Sequence, residues 1–259
     1  MIPKIIHFCW LSGDPFPTEI QRCIDSWHQM MPDYELWLWD TQRFDIKSTT
    51  WTQQAFNNKK YAFAADYIRL YALYRYGGIY LDSDVLVYKR FDELLSLPYF
   101  VGCDQVGAFE AAVIGAEKEC KWIGDVLQRY DGRNFVRSDG SFDMMELPIV
   151  FHHRLTDLGY TFRKLHSIEP YSADKKQLFV FDRRFFNGRD HVGVHPTPLS
   201  FCSHNYAGSW TAKSQDDYSL ARSLKGLMPR MFVNLMSELL HHTCLRNKFN
   251  SYTIPFRRG

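Results

Sequence analysis

No CxxC pair occurs among the 259 residues, although six cysteines do: Cys9, Cys23, Cys103, Cys120, Cys202 and Cys244. Thiols scattered through apolar stretches read as reduced and buried, as in a cytosolic protein, and not as a disulfide framework. Long apolar runs are missing as well, so no segment is expected to span a membrane. The opening "MIPKIIHFCW" has neither a long apolar core nor a small-residue cleavage site, so it is not expected to act as a signal peptide. Strong charge of either sign is absent: the net charge of +2 argues against a general nucleic-acid binder. No internal repeat or low-complexity stretch is seen.

Apolar and aromatic residues are plentiful, at 46% and 16%, enough for one large core with at most a small appendage. "KIIHFCW" reads as a first buried strand leaving through the turn-rich "LSGDPFP". Thr18 with Gln21 resembles a capping box, followed by Ile20, Ile24, Trp27 and Met31 at helical spacing, with Pro32 ending the helix. "YELWLW" (34–39) is a second strand. A helix is expected from about Asn58 to Tyr76, stopped by Gly77-Gly78. "IYLDSDVLVY" follows as a strand, then "AAVIGA" (111–116), a helical stretch from Trp122 to Tyr130, a loop, a helix over "PIVFHHRLTDLG" and a late strand in "QLFVFDRRFF" (177–186). Strands alternating with helices predict an α/β fold with a mainly parallel sheet.

Within "GGIYLDSDV" (77–85), Asp82 and Asp84 stand one residue apart behind an apolar run. In an extended segment they share a face. Two adjacent carboxylates repel, and a hard divalent ion such as Mg²⁺ or Mn²⁺ relieves the repulsion while binding phosphate oxygens. The bland alternative is a strand end with two solvated aspartates, because DxD is short. In the preceding helix Asp66 and Arg69 lie three apart on one face. They form either a plain ion pair or, given apolar neighbours, a buried pair that meets a sugar hydroxyl and a phosphate.

"IPKIIHFCWLSG", "AFAADYIRLYALYRYGGIYLDSDV" and "HNYAGSW" together resemble the three signatures of the DxD-motif sugar transferases, glycosyltransferase family 32, relatives of the glucosylating toxins and of family 8. The resemblance is dense over residues 1–12 and 60–90 and recurs at 204–210. It implies a GT-A fold, a Rossmann-like nucleotide-binding domain whose Mn²⁺ or Mg²⁺ holds the donor diphosphate. By position it implies Asp84 as a direct metal ligand and Asp82 as a contact to ribose or metal. Asp66 and Arg69 would hold the donor sugar, and Trp10 would stack on the base; otherwise Trp10 is an ordinary core tryptophan. The last metal ligand in such enzymes is a His or Asn shortly before a Trp. His204 is preferred here, with Asn205 as the alternative, both ahead of Trp210. Ser209 and the Trp210 indole would then donate to the β-phosphate of the leaving nucleotide.

Weaker candidates are Asp104 and Glu146, as walls of an acceptor pocket, and the His152-His153 and His241-His242 pairs, which read as surface. His191 and His195 have no carboxylate at ligand spacing. Gly77-Gly78 lacks the pattern of a phosphate loop. From Arg222 to Gly259 seven Lys/Arg face the single acid Glu238. This basic amphipathic tail (211–259, beyond a transferase domain at 1–210) either packs on the domain or lies on an anionic membrane. The expected function is a retaining, metal-dependent transfer of a hexose, galactose or glucose, from a UDP-sugar to a hydroxyl of a glycan or lipid-linked glycan, as in surface polysaccharide synthesis. GDP-mannose is the alternative donor, and a non-catalytic nucleotide- or glycan-binding protein is the alternative of another class. The expected location is the cytoplasm, at the inner face of its membrane if the tail meets lipid.

Overall fold

The computed structural model describes residues 1–104, 107–173, 176–188, 196–205, 254 and 256. Seven strands form one sheet in the order β2-β1-β3-β6-β5-β8-β7. They are β1 (Ile5–Cys9), β2 (Glu35–Trp39), β3 (Gly78–Leu81), β5 (Tyr99–Cys103), β6 (Phe109–Ala116), β7 (Thr161–Leu165) and β8 (Gln177–Phe181). β1 runs parallel to β2 and β3, and β8 parallel to β5 and β7. β6 is antiparallel to both neighbours, β3 and β5. The expected mixed α/β class with a mainly parallel sheet is thus observed. A second, two-stranded sheet pairs β4 (Val85–Val87) with β9 (Cys202–His204).

Every residue of β3 and β6 is buried, as central strands covered on both faces require. On one face lies α3 (Tyr61–Tyr76), with α2 (Thr50–Asn57), α4 (Lys121–Leu127) and α5 (Leu147–Asp157). On the other, α1 (Thr18–Met30) packs beside β4, where the Trp27 indole donates to the Val85 carbonyl at 2.8 Å. Because α3 is buried on several sides it is apolar almost all round.

Three local expectations change. The capping box at Thr18 does not form, because the cap falls on Pro17 and Thr18 is already helical; Gln21 bonds to Asp25 instead, at 2.7 Å. The helix expected from Asn58 starts at Tyr61, because Lys59 adopts φ 56° and separates it from α2, whose own cap is the Thr49 hydroxyl. The strand expected over "IYLDSDVLVY" is two strands in different sheets, joined by a turn in which the Val85 N–H meets the Asp82 carbonyl at 3.0 Å.

The glycine pair does end α3, with Gly77 at φ 68°. Gly78 adds a second reason. At φ 110° it lies so close to β1 that a β-carbon would come within 2.7 Å of the Ile5 carbonyl. Of the basic tail, Ile254 and Phe256 are described. Ile254 is buried, its N–H on the Gly107 carbonyl at 2.9 Å, and Phe256 bridges to Phe162 on β7.

Candidate active site

β1 and β3 run parallel, with His7 level with Tyr80, so the register carried on brings Cys9 level with Asp82 and Trp10 just beyond it. Both chains leave the sheet at the same end, the carboxyl ends of parallel strands, where α/β sheets hold ligands. Asp82 keeps one ladder bond, its N–H to the Ala112 carbonyl at 2.9 Å, before the chain turns away. Asp82 and Asp84 therefore do not share a strand face. The turn, and not pleating, sets their positions, and they acquire different partners.

Asp82 faces Arg69. The guanidinium reaches Asp82 at 3.0 Å and Asp66 at 3.3 Å, donates to the Ala111 carbonyl, and lies over the Tyr80 ring at 4.4 Å. The i,i+3 pair expected on α3 is thus part of an Asp66–Arg69–Asp82 triad, in which Asp66 and Arg69 are buried, Arg69 at 6% exposed, and Asp82 is half-buried. Burial pushes the Asp66 carboxyl up to about 7, against the pull of Arg69. Burial likewise raises Asp82, again opposed by Arg69. One guanidinium does not fully compensate two carboxylates removed from water.

Asp84 faces His204, on β9, across the small sheet: Val85 pairs with His204 in register, and imidazole Nε2 lies 3.3 Å from an Asp84 oxygen. The other ring nitrogen lies 3.2 Å from Glu110. Burial would lower the pKa of His204, but the Glu110 and Asp84 carboxylates outweigh it and hold the ring well above 6.5. One donor atom each from Asp82, Asp84 and His204 falls within 4.8 Å of the others. Two carboxylates and an imidazole with this spacing fit a hard or borderline dication such as Mn²⁺ or Mg²⁺. The charge count agrees. Four acids, Asp66, Asp82, Asp84 and Glu110, crowd one guanidinium and one imidazole.

Asn205, the alternative third ligand, is placed differently. Its backbone N–H meets the Asp84 carbonyl at 3.2 Å, and its side chain turns to Cys23 on α1. Trp10 is half-buried on the loop leaving β1. Its indole N–H donates to the Asp14 carbonyl at 2.6 Å and its ring meets the edge of Phe16. Ser209 and Trp210 lie outside the described residues, as do His191, His195, His241, His242 and nearly all of 211–259.

Glu146 caps the start of α5, where burial raises its pKa and its charge in turn raises that of Asp66, so it belongs to the electrostatic surroundings of the triad. Asp104 is a turn residue accepting from the Ala108 N–H at 2.9 Å. His152 and His153 sit ring to ring on α5. Two residues escaped sequence reasoning: Glu110 and the Tyr80 under Arg69. Glu110 had a signal, a single acid inside the otherwise apolar "FEAAVIGA". An acid at such a position is buried and must be partnered.

The fold and the site define an α/β protein with an acidic, dication-fitting cluster at the carboxyl end of its sheet. Residues 17–101 match the family described as "Glycosyltransferase sugar-binding region containing DXD motif". Among curated proteins it is 33% identical over 131 residues to inositol phosphoceramide mannosyltransferase 3 of Schizosaccharomyces pombe, covering 49% of this chain and 36% of that protein. It is 34% identical over 108 residues to mannosyl phosphorylinositol ceramide synthase SUR1 of Saccharomyces cerevisiae, covering 39% of this chain and 27% of that protein. The matches thus span about a third of the length of these relatives, or less. Among solved structures, the PaToxG glycosyltransferase aligns with a TM-score of 0.42 at 20% identity, over 61% of this chain and 69% of that one.

Proposed function

We propose that the protein is a divalent-metal-dependent glycosyltransferase that moves a hexose from a nucleotide sugar to a hydroxyl of a glycan or a lipid-linked headgroup. The observation that carries this reading is the convergence of Asp82, Asp84 and His204 beside the buried Asp66–Arg69 pair. Asp82, Asp84 and His204 would hold the ion, and a bound Mn²⁺ or Mg²⁺ supplies positive charge to a diphosphate leaving group.

The chain's own residues do the rest. Arg69 is anchored by Asp66, Asp82 and the Ala111 carbonyl, and so presents a fixed cation next to the reacting sugar. Asp66, held in place by that guanidinium, accepts from a sugar hydroxyl. Trp10 offers an aromatic face for the base at the same end of the sheet. Ser209 and Trp210 would donate to the departing phosphate. Transfer with retention, by attack on the face the nucleotide leaves, follows from the family resemblance.

For the donor, the relatives tilt the choice away from a UDP-hexose. Both curated names given above pair a mannosyl group with an inositol-phosphate ceramide. GDP-mannose, with a phosphoinositol-type or other lipid-linked hydroxyl as acceptor, is accordingly the preferred reading. Among the described residues no helix is long and apolar enough to cross a membrane. Access to such a lipid would fall to the basic tail.

The test is nucleoside-diphosphate release from GDP-mannose, UDP-galactose and UDP-glucose, each with Mn²⁺ and with EDTA. Metal-dependent GDP release supports the mannosyl reading, and UDP release restores the hexose one. Nucleotide binding without turnover, in the presence of candidate acceptors, would point to a binding protein.

A further inference from the structure

Glu110 lies on the all-buried β6, is 3% exposed, and is not one of the three clustered donors. Its carboxylate is nevertheless held from three sides. One oxygen lies 3.2 Å from His204 Nδ1 and accepts the Ala112 N–H at 3.2 Å. The other accepts the Asn187 side-chain amide at 3.0 Å, and Asn187 is itself 2% exposed. A buried carboxylate costs free energy, and a strand in this position is served as well by an apolar residue. The arrangement leaves His204 with one nitrogen toward Glu110 and the other toward Asp84.

We propose that Glu110, oriented by Asn187, is the positioning residue of the metal centre. It accepts the Nδ1–H of His204, fixes the ring's tautomer and rotation, and makes Nε2 the nitrogen that binds the dication. An anionic partner on the far side of a ligand imidazole raises the ring's basicity toward metal, and loss of such a partner typically weakens metal affinity about 10- to 100-fold. Glu110 acts through His204 and does not touch substrate. The inference rests on the reading of Asp82, Asp84 and His204 as metal ligands.

Mn²⁺ binding to the intact protein, read from the paramagnetic resonance of free Mn²⁺ without any sugar donor, tests it. Glu110→Gln should weaken Mn²⁺ about 10-fold or more while the thermal midpoint of the metal-free protein is kept. Glu110→Asp should recover part of that loss. Equal affinity in a folded Glu110→Gln protein overturns the role of Glu110 and leaves the metal site standing. Failure of the wild type to bind Mn²⁺ removes the metal site, and the role with it. If Glu110→Gln does not fold, Asn187→Ser, which releases only the far oxygen, should still weaken Mn²⁺, by a smaller factor; an unchanged affinity there counts against the proposal. Nitrogen NMR of the Mg²⁺-loaded wild type should find the His204 proton on Nδ1, and a proton on Nε2 instead would overturn it.

Discussion

Two histidines of this protein sit in opposite surroundings. His7, in the middle of β1, is fully buried and neutral. Its Nε2–H donates to the Gly77 carbonyl at 2.7 Å, and its Nδ1 accepts the Trp39 indole N–H at 3.1 Å. Burial lowers it to about 4. His204 stands between two carboxylates that raise it. Both ring nitrogens of His7 are matched by neutral partners. Around His204 the groups are individually held, yet their charges do not balance. The first pattern belongs to folding. The second is the pattern expected of a functional cluster, where a cation would offset the excess negative charge.

Removing the cation from the Asp66–Arg69–Asp82 triad should do the most damage. Arg69→Met strands the buried Asp66 and takes the partner from the half-buried Asp82, and a loss of about 3 kcal/mol is expected in urea unfolding. Unchanged stability would mean that Arg69 does not offset the charge of these two acids. The neutral histidine predicts a pH effect of similar size. The unfolded chain takes a proton on His7 near 6.5, whereas the folded protein refuses it until about 4. The His7 contribution to stability is therefore full above 6.5 and falls by about 3 kcal/mol as the pH drops to 4, while Asp66, raised to about 7, shifts stability the opposite way over that range. His7→Gln should remove that loss and leave the opposing Asp66 trend, and an unchanged slope would mean that His7 is not responsible.

At the charged site the effect should appear in function and not in folding. Asp84→Asn is expected to cut metal-dependent nucleotide release by about 100-fold or more, the upper end of what loss of a mere outer partner costs. Its melting temperature should be unchanged or higher, since one of the crowded negative charges is gone. The smallest effect is assigned to Asn205→Ala. The side chain turns to Cys23, so Mn²⁺ affinity should match the wild type, in contrast to His204→Ala. An affinity loss at Asn205 with none at His204 would exchange their roles.

Much of the fold was legible because it depends on local pattern. β1, β2, α3 and β6 follow from apolar runs and their punctuation, and the stop at Gly77 from a residue that tolerates φ 68°. The break between α2 and α3 was not legible, since a lysine at φ 56° carries no sequence signal. Nor was the split after Leu81. "IYLDSDVLVY" has strand propensity throughout, and the bend exists because Val85–Val87 finds β9 and α1 instead of β6.

The sequence by itself determined that two acids stand one residue apart behind a buried strand, and that Asp66 and Arg69 share a helical face, because both facts depend on spacing along one segment. Only the tertiary structure decided which group each acid meets. Arg69 spans α3 and the end of β3, and His204 arrives from a strand more than a hundred residues later, carried against Val85 by the small sheet. Glu110, the acid behind His204, joins the site from the one strand that runs against the others. Contacts of that range are set by packing and pairing across the whole core, and no local pattern encodes them.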